Sequence, residues 1–337
     1  MNLERLRELC LNAIVFPTEI LDWIREENLW NLWVPRQYGG LGATFTEGLK
    51  QLRHLSQIDG SLGWTVTLCS GANFFIGNLR PDVVHGIFDG SVGSVCFGGS
   101  GGVSGIAERQ GDTYLISGRW RYATGAPYLT HFTINAKILE NGKELKNTDG
   151  SPLVRSFLLG KNEVQIVADW HAMGLKATAT RSFEVMAVRV HEKYSFAYGE
   201  VYLPDPQFKI DFAIFADLTL WANYIGMADH FLEEALTILP RERLANFMAT
   251  IERADRELFK QAQEIENRTV TSSDWCEKEI RSIHLIAADS VRHLARAIFE
   301  CYPSLGIRAC SENRVLNQVF RDYFTATQHH IFTKDSV

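Results

Sequence analysis

Apolar residues recur at helical spacing over the first 88 residues, alternate in short β-branched and aromatic runs over the middle third, and return to helical spacing from about Phe212. In the first stretch Leu3, Leu6, Leu9 and Cys10 share one stripe, and Ile20, Trp23 and Ile24 form the next. Pro35 and the Gly39-Gly40 pair within VPRQYGGLG end helical structure and force a turn before a helix that begins near Thr46, with Thr46-Glu47 as its cap region. From Gly90 the runs SVGSVCFGG, TYLISGRW, FTINAKIL, VRSFLLG, VQIVADW and RSFEVMAVRV, separated by Gly, Asn-Gly or Asp-Gly turn signals, read as strands. Beyond them Ile214, Leu218, Trp221, Ile225, Ala228, Leu232, Ala235 and Leu239 step alternately by four and three until Pro240. Three more helices follow at about 243–268, 274–301 and 311–332; Ser273 or Asp274 caps the middle one and Pro303/Gly306 ends it. Short connections predict an antiparallel four-helix bundle. The fold class is α+β: an N-terminal helical domain over 1–89, a central β domain over 90–208 and a C-terminal bundle over 209–337.

A chain of 337 residues, 46% hydrophobic and 22% charged, holds enough apolar surface for two or three units and is not the composition of a disordered protein. Its net charge of −6, with acids and bases interspersed, excludes the one-sided basic footprint that nucleic acid requires. The N-terminal MNLERLRELCLNAIVFP mixes acids with bases and does not read as a secretory signal; no apolar run approaches the roughly 20 residues of a membrane span. The six cysteines are scattered without zinc-type spacing, so they read as reduced thiols of a cytoplasmic protein with no metal site. His329-His330 is the one histidine pair, and neighbours on a helix point about 100° apart, which suits no shared ion.

The stretch CFGGSGGVSG, Cys96 to Gly105, raises the first chemical question. Its glycines at 98, 99, 101, 102 and 105 never meet the i, i+2, i+5 spacing of a dinucleotide fingerprint, the residues after Gly105 are strand-like, and no Gly-Lys-Ser/Thr closes a Walker pattern. A glycine-rich strand-to-strand loop remains, either a flexible surface loop or a set of bare N–H groups lining a concavity.

VPRQYGGLG before a helix, DGSLGW further on, GDTYLISGRWRYATGA in a hairpin and DWHAMGLKATATRSFEVMAVRV at the end of the sheet, in this order and spacing, resemble the acyl-CoA dehydrogenase superfamily across essentially the whole chain. The resemblance implies a flavin, FAD or FMN, held where the β domain meets the bundle, and a homodimer or homotetramer formed through the bundle. It makes Phe97, Gly98, Gly99, Ser100 and Gly105 cofactor-loop residues, sets Tyr122 on the ring face and Thr124 at the flavin N5 edge with Gly125 beside it, and brings Trp170 and Arg321 to the cofactor. Thr178 and Thr180 are further candidates. The helix WTVTLCSGANFFIG would face the substrate, with Cys69, Ser70 and Asn73 as small polar lining and Phe74 as wall.

Two branches of that superfamily use this geometry differently. Dehydrogenases oxidise the Cα–Cβ bond of an acyl thioester with a Glu base and pass electrons to an electron-transfer flavoprotein. Two-component hydroxylases receive reduced flavin from a separate flavin reductase and oxygenate a small organic substrate. The dehydrogenase base is not recognisable in CYPSLGIRACSENRVLNQ, and its alternative position falls on about Ala216, with Asp217 one residue and about 100° away. The string NRVLNQVFRDYFTATQHH resembles the hydroxylase ending, although Asn317 stands where an Arg is common; it offers Arg321-Asp322 and, as candidate acid/base, His329. The reading is a flavin-dependent oxidoreductase leaning to a reduced-flavin monooxygenase. The alternatives are an acyl-CoA dehydrogenase and a flavin-less scaffold or binding paralogue.

Overall fold

The computed structural model describes residues 1–88, 93–271, 274–329 and 332. Asp89, Gly90, Ser273 and His330, on which a domain limit, a cap and a histidine pair were expected, lie outside them. Five helices come first: α1 (Leu3–Cys10), α2 (Thr18–Glu26), α3 (Phe45–Ile58), α4 (Gly60–Asn73) and α5 (Pro81–Ile87). The cap of α3 is Thr44, not Thr46. Thr44 is extended and accepts from the Glu47 N–H while Glu47 returns to the Thr44 N–H, satisfying two donors of the first turn at once. Thr46 instead spends its N–H and hydroxyl on Glu266, at 3.0 and 2.6 Å, and so ties this layer to the bundle.

Eight strands follow: β1 (Phe97–Gln110), β2 (Thr113–Ala123), β3 (His131–Glu140), β4 (Lys143–Glu144), β5 (Val154–Gly160), β6 (Gln165–Val167), β7 (Arg181–His191) and β8 (Ser195–Phe196). They make one sheet in the order β6-β7-β2-β1-β3-β5-β8, with β4 on β3. Every pairing is antiparallel except β1 with β3. The glycine run is therefore not a loop between strands: β1 passes straight through it, with register shifts between Gly99 and Val103 and between Val103 and Gly105.

The bundle consists of α6 (Phe212–Leu236), α7 (Ala245–Thr271), α8 (Glu277–Cys301) and α9 (Val315–Ala326). Cys276 rather than Asp274 precedes the first turn of α8, its N–H held by Glu279, which also pairs with Arg268 at 2.6 Å. Gly306, at a φ of 73°, closes the turn after that helix. The long helix α6 is buried on nearly every side because α3, α4, α7, α8 and α9 all pack on it. Side chains such as Phe215, Trp221 and Phe231 lose essentially all contact with water, at about 1.5–3 kcal/mol each, which outweighs any helix propensity. Arg53 of α3 binds Asp229 of α6 at 2.8 Å and also Asp255 of α7, fixing the rotation of the three helices about one half-buried cation.

Candidate active site

Two cavities open where sheet, α4 and bundle converge. The inner one, about 220 Å³, lies between α4, α6 and strands β1, β3 and β5. The outer cleft, about 1020 Å³, lies between β1, the end of β2, the 170–180 segment and the bundle. Leu68, Gly99, Ser100, Gly101, Thr124 and His329 line both. No metal-sized cluster of His, Cys, Asp or Glu exists among the described residues.

The glycine segment forms the shared wall, and its members differ in role. Gly98 lines the inner cavity, and Gly99, Ser100 and Gly101 line both. A Cβ on Gly99 would stand 1.8 Å from the Thr133 carbonyl oxygen, so this residue is glycine to let β1 approach β3. Ser100 points its hydroxyl away, donating to the Arg121 carbonyl at 2.9 Å. Gly105 and Phe97 line neither cavity. A Cβ on Gly105 would stand 2.2 Å from the Trp120 ring, and Phe97 is fully buried with its ring edge-on to His131 at 5.2 Å. Both are core residues, not cavity contacts.

On α4 the cavity-facing positions are Thr67, Leu68, Gly71, Ala72 and, just beyond the helix, Phe75. The expected Cys69, Ser70, Asn73 and Phe74 face the other way. Asn73 donates to Asn31 Oδ1 at 2.7 Å and to the Val95 carbonyl at 3.0 Å, and accepts from the Phe97 N–H. Phe74 stacks on Phe215 at 4.1 Å, Cys69 packs under Thr124, and Ser70 is fully buried. Helix α4 is apolar around its whole circumference, so its sequence carries no phase, and the expectation selected the wrong face.

Thr124, 8% exposed, touches both cavities and ends a chain of hydroxyls. Thr178 Oγ1 donates to the Leu175 carbonyl at 2.7 Å; Thr180 lies 2.8 Å from Thr178 and 3.3 Å from Thr124. Each hydroxyl has one proton. With that of Thr178 given to Leu175, Thr180 donates to Thr178 and Thr124 to Thr180, so Thr124 presents only lone pairs to the cleft. Gly125 fixes the turn after Thr124 with a φ of 70° and an N–H to the Thr178 carbonyl at 2.8 Å, and lines neither cavity. Tyr122 and Trp170 meet edge to face at 5.3 Å and wall the outer cleft.

Arg321 lies outside both cavities. It spans Asn317 Oδ1 and the Met173 carbonyl at 2.8 and 2.7 Å, and so braces the 170–180 segment against α9. Next to it, Asp322 accepts the Leu175 N–H at 2.6 Å, with Leu175 at a φ of 50°. Gly174 comes so near α9 that a Cβ would stand 2.2 Å from the Arg321 carbonyl oxygen. Asp322 is buried; desolvation, then the neighbouring Asp59, push its carboxyl up to about 8.

Asp217 also faces away. It is buried and pairs with His284 Nδ1 at 3.1 Å; burial raises its carboxyl to about 6 against the pull of that histidine. Ala216, one residue earlier, is the position that lines the inner cavity. No aspartate or glutamate lines either cavity. His329, its ring edge-on to Trp64 at 5.6 Å, is the one histidine on their walls. The sequence reading missed Asn135, Ser156, Phe196, Tyr198, Phe212 and Phe215, which complete the inner cavity. Asn135 and Ser156 carry a signal in retrospect, as polar residues set within the apolar strand runs FTINAKIL and VRSFLLG.

Residues 224–334 match the family model described as acyl-CoA dehydrogenase, C-terminal domain. In overall structure the chain superposes on the HsaA monooxygenase from Mycobacterium tuberculosis with a TM-score of 0.89 at 17% identity, over 98% of this chain and 91% of that one. The protein is acyl-CoA dehydrogenase-like. This acyl-CoA dehydrogenase-like chain also superposes on XiaF from a Streptomyces species, in complex with FADH2 and glycerol, with a TM-score of 0.87 at 18% identity, over 98% of this chain and 89% of that one. In sequence it is 24% identical to the indole-3-acetate monooxygenase of Acinetobacter baumannii over 94% of this chain and 84% of that protein. Its alignment to HsaA of M. tuberculosis, a flavin-dependent monooxygenase oxygenase subunit, is 21% identical over 63% of this chain and about half of HsaA (54%).

Proposed function

We propose that the protein is the oxygenase component of a two-component system, a reduced-flavin monooxygenase of a small organic substrate. The observation that carries this reading is the absence of any carboxylate from both cavity walls. Oxidation of an acyl thioester needs a base at the substrate Cα, and at the position where one would sit on α6 stands Ala216, with Asp217 turned to His284. The named relatives, all monooxygenases or flavin-bound, support the same branch.

The outer cleft suits a flavin ring. It combines aromatic walls at Trp64, Tyr122 and Trp170 with bare backbone at Gly99–Gly102, and the buried Thr325 Oγ1 on its wall has no hydrogen-bond partner. Reduced FAD or FMN, when bound, supplies the electrons that activate oxygen. The chain's own contribution is to orient and to move protons. Thr124, locked as an acceptor, would hold the N5–H that only the reduced ring carries; the oxidised ring has a bare acceptor there. His329, touching both cavities, takes or gives a proton between substrate and cleft. A flavin reductase is the partner such a system requires, and association through the bundle into a homodimer or homotetramer completes the proposal.

Anaerobic titration with reduced FMN or FAD tests the reading. Binding of the reduced form tighter than the oxidised, followed by oxygen-dependent hydroxylation of an aromatic probe, is expected; bleaching of a tightly retained FAD by an acyl-CoA would overturn it. The threonine chain makes a separate prediction. Thr124→Val lowers affinity for reduced flavin about tenfold, the loss of one hydrogen bond. Thr180→Val, which returns a free proton to Thr124, narrows the ratio of reduced to oxidised affinity. Ser117→Ala, whose hydroxyl accepts from the Ala187 N–H at 3.0 Å on the sheet, changes neither.

A further inference from the structure

We infer that the inner cavity selects an uncharged aromatic ring bearing one hydroxyl-type group, read by Tyr198 and Ser156, and rejects the corresponding carboxylate. The inference rests on the oxygenase reading of the site and adds the chemistry of what enters it. No Lys, Arg, Asp or Glu lines this cavity. Its walls are the rings of Phe75, Phe196, Phe212 and Phe215 with Ile134 and Leu220, and its volume of about 220 Å³ accommodates one ring or two fused rings.

The polar atoms gather at one pole that the outer cleft does not share. Asn135 of β3, Ser156 of β5 and Tyr198 beyond β8 form it. The Asn135 amide is fully engaged: Nδ2 donates to the Gly101 carbonyl at 3.0 Å and to Tyr198 Oη at 3.2 Å, and Oδ1 accepts from Ser156 Oγ at 2.6 Å. Ser156 has thereby spent its proton and keeps its lone pairs; Tyr198 has accepted and keeps its proton. The pole thus offers one donor and one acceptor, which is the complement of a hydroxyl group. Tyr198 is held in place by stacking on Phe75 at 5.0 Å and contact with Phe212 at 4.8 Å, so the donor is set before a ligand arrives. Of the other polar groups on the wall, the Thr67 oxygen accepts from Asn223 at 3.0 Å and the Thr219 hydroxyl returns to its own helix at Phe215. A carboxylate would find one donor, no lysine or arginine, and the full desolvation cost of its charge. Indole-3-acetate, in the name of one relative, is such an anion.

The test uses three probes of one size, 2-naphthol, naphthalene and 2-naphthoate, titrated calorimetrically at pH 7.5 into the full chain without flavin and, anaerobically, with reduced FMN. Expected is 2-naphthol binding about tenfold tighter than naphthalene and about thirtyfold or more tighter than 2-naphthoate. Tyr198→Phe, which keeps the stacked ring, should bring 2-naphthol to the affinity of naphthalene and leave naphthalene unchanged. Equal binding of 2-naphthol and naphthalene by the native chain overturns the pole. Equal or tighter binding of 2-naphthoate overturns the charge selection and assigns the anion to His329. Failure of every ring in both flavin states overturns the cavity as a ring site. Failure of reduced FMN to bind while the naphthol series holds would instead remove the oxygenase reading and leave the selectivity standing.

Discussion

His329→Ala should lower the rate of substrate oxygenation about a hundredfold at neutral pH, the usual scale for loss of a positioned acid or base, while changing reduced-flavin affinity less than about threefold, a few tenths of a kcal/mol. The asymmetry follows from its position. Its ring touches both cavities and is held edge-on to Trp64, whereas the walls that would clasp a flavin are backbone at Gly99–Gly102 and the rings of Trp64, Tyr122 and Trp170. The other ionisable side chains on those walls are Tyr198, Tyr122 and Arg121, none of which ordinarily exchanges a proton near pH 7. His329→Gln separates the two possible services of an imidazole: if proton transfer is the function, glutamine is as slow as alanine, and if only a hydrogen bond is needed, it restores much of the rate. Single-turnover oxidation of the reduced-flavin complex, followed across pH with substrate present, reads both. A His329→Ala rate within twofold of the native chain would take His329 out of the chemistry.

The second large effect is on the cleft itself. Asp322→Ala strips the buried Leu175 N–H of its acceptor, which costs about 1–3 kcal/mol, and loosens the 170–180 segment that carries Trp170, Leu175, Thr178 and Thr180. Both stability and flavin affinity should fall. Asp322→Asn keeps an oxygen for that N–H and should retain most of both at pH 6. The pH dependence has a definite sign. The folded carboxyl is raised to about 8 by burial and by Asp59, above the roughly 3.9 of an unfolded aspartate, so its stabilising contribution is complete below about pH 4 and is lost as pH rises through 8. Melting temperatures of the native chain should therefore decline from pH 6 to pH 9, and Asp322→Asn should decline less and surpass it at pH 9. Parallel declines in the two proteins would show that Asp322 is already ionised at pH 6.

The helix α6 is readable because its alternating four-three stripe runs unbroken from Ile214 to Leu239, and six of its eight members are fully buried in the bundle. Position 216 is readable for the same reason: helical geometry alone says that Ala216 and Asp217 cannot share a direction, and the structure sends one to the cavity and the other to His284. Where the pattern loses its phase, reading fails. Helix α4 is apolar on all sides, so nothing in WTVTLCSGANFFIG distinguishes Leu68 and Gly71 from Cys69 and Asn73. The glycine run passes for a loop because composition cannot separate a flexible glycine from one demanded by a neighbour; only the Thr133 carbonyl against Gly99 and the Trp120 ring against Gly105 reveal a strand. The pole of Asn135, Ser156 and Tyr198 unites residues from three separate segments, and no local pattern announces such a meeting.

The strand β1 has an evolutionary corollary. Between the two cavities it contributes Gly99, Ser100 and Gly101, two of them without side chains and the third with its hydroxyl turned to Arg121. The spacing between the occupants of the two chambers is thus written into main chain, beyond the reach of most point mutations. The remaining walls of the inner chamber, on α4, α6 and the far strands, are side chains and can drift freely. A lineage built this way can exchange one substrate for another while the distance across which its chemistry operates stays constant.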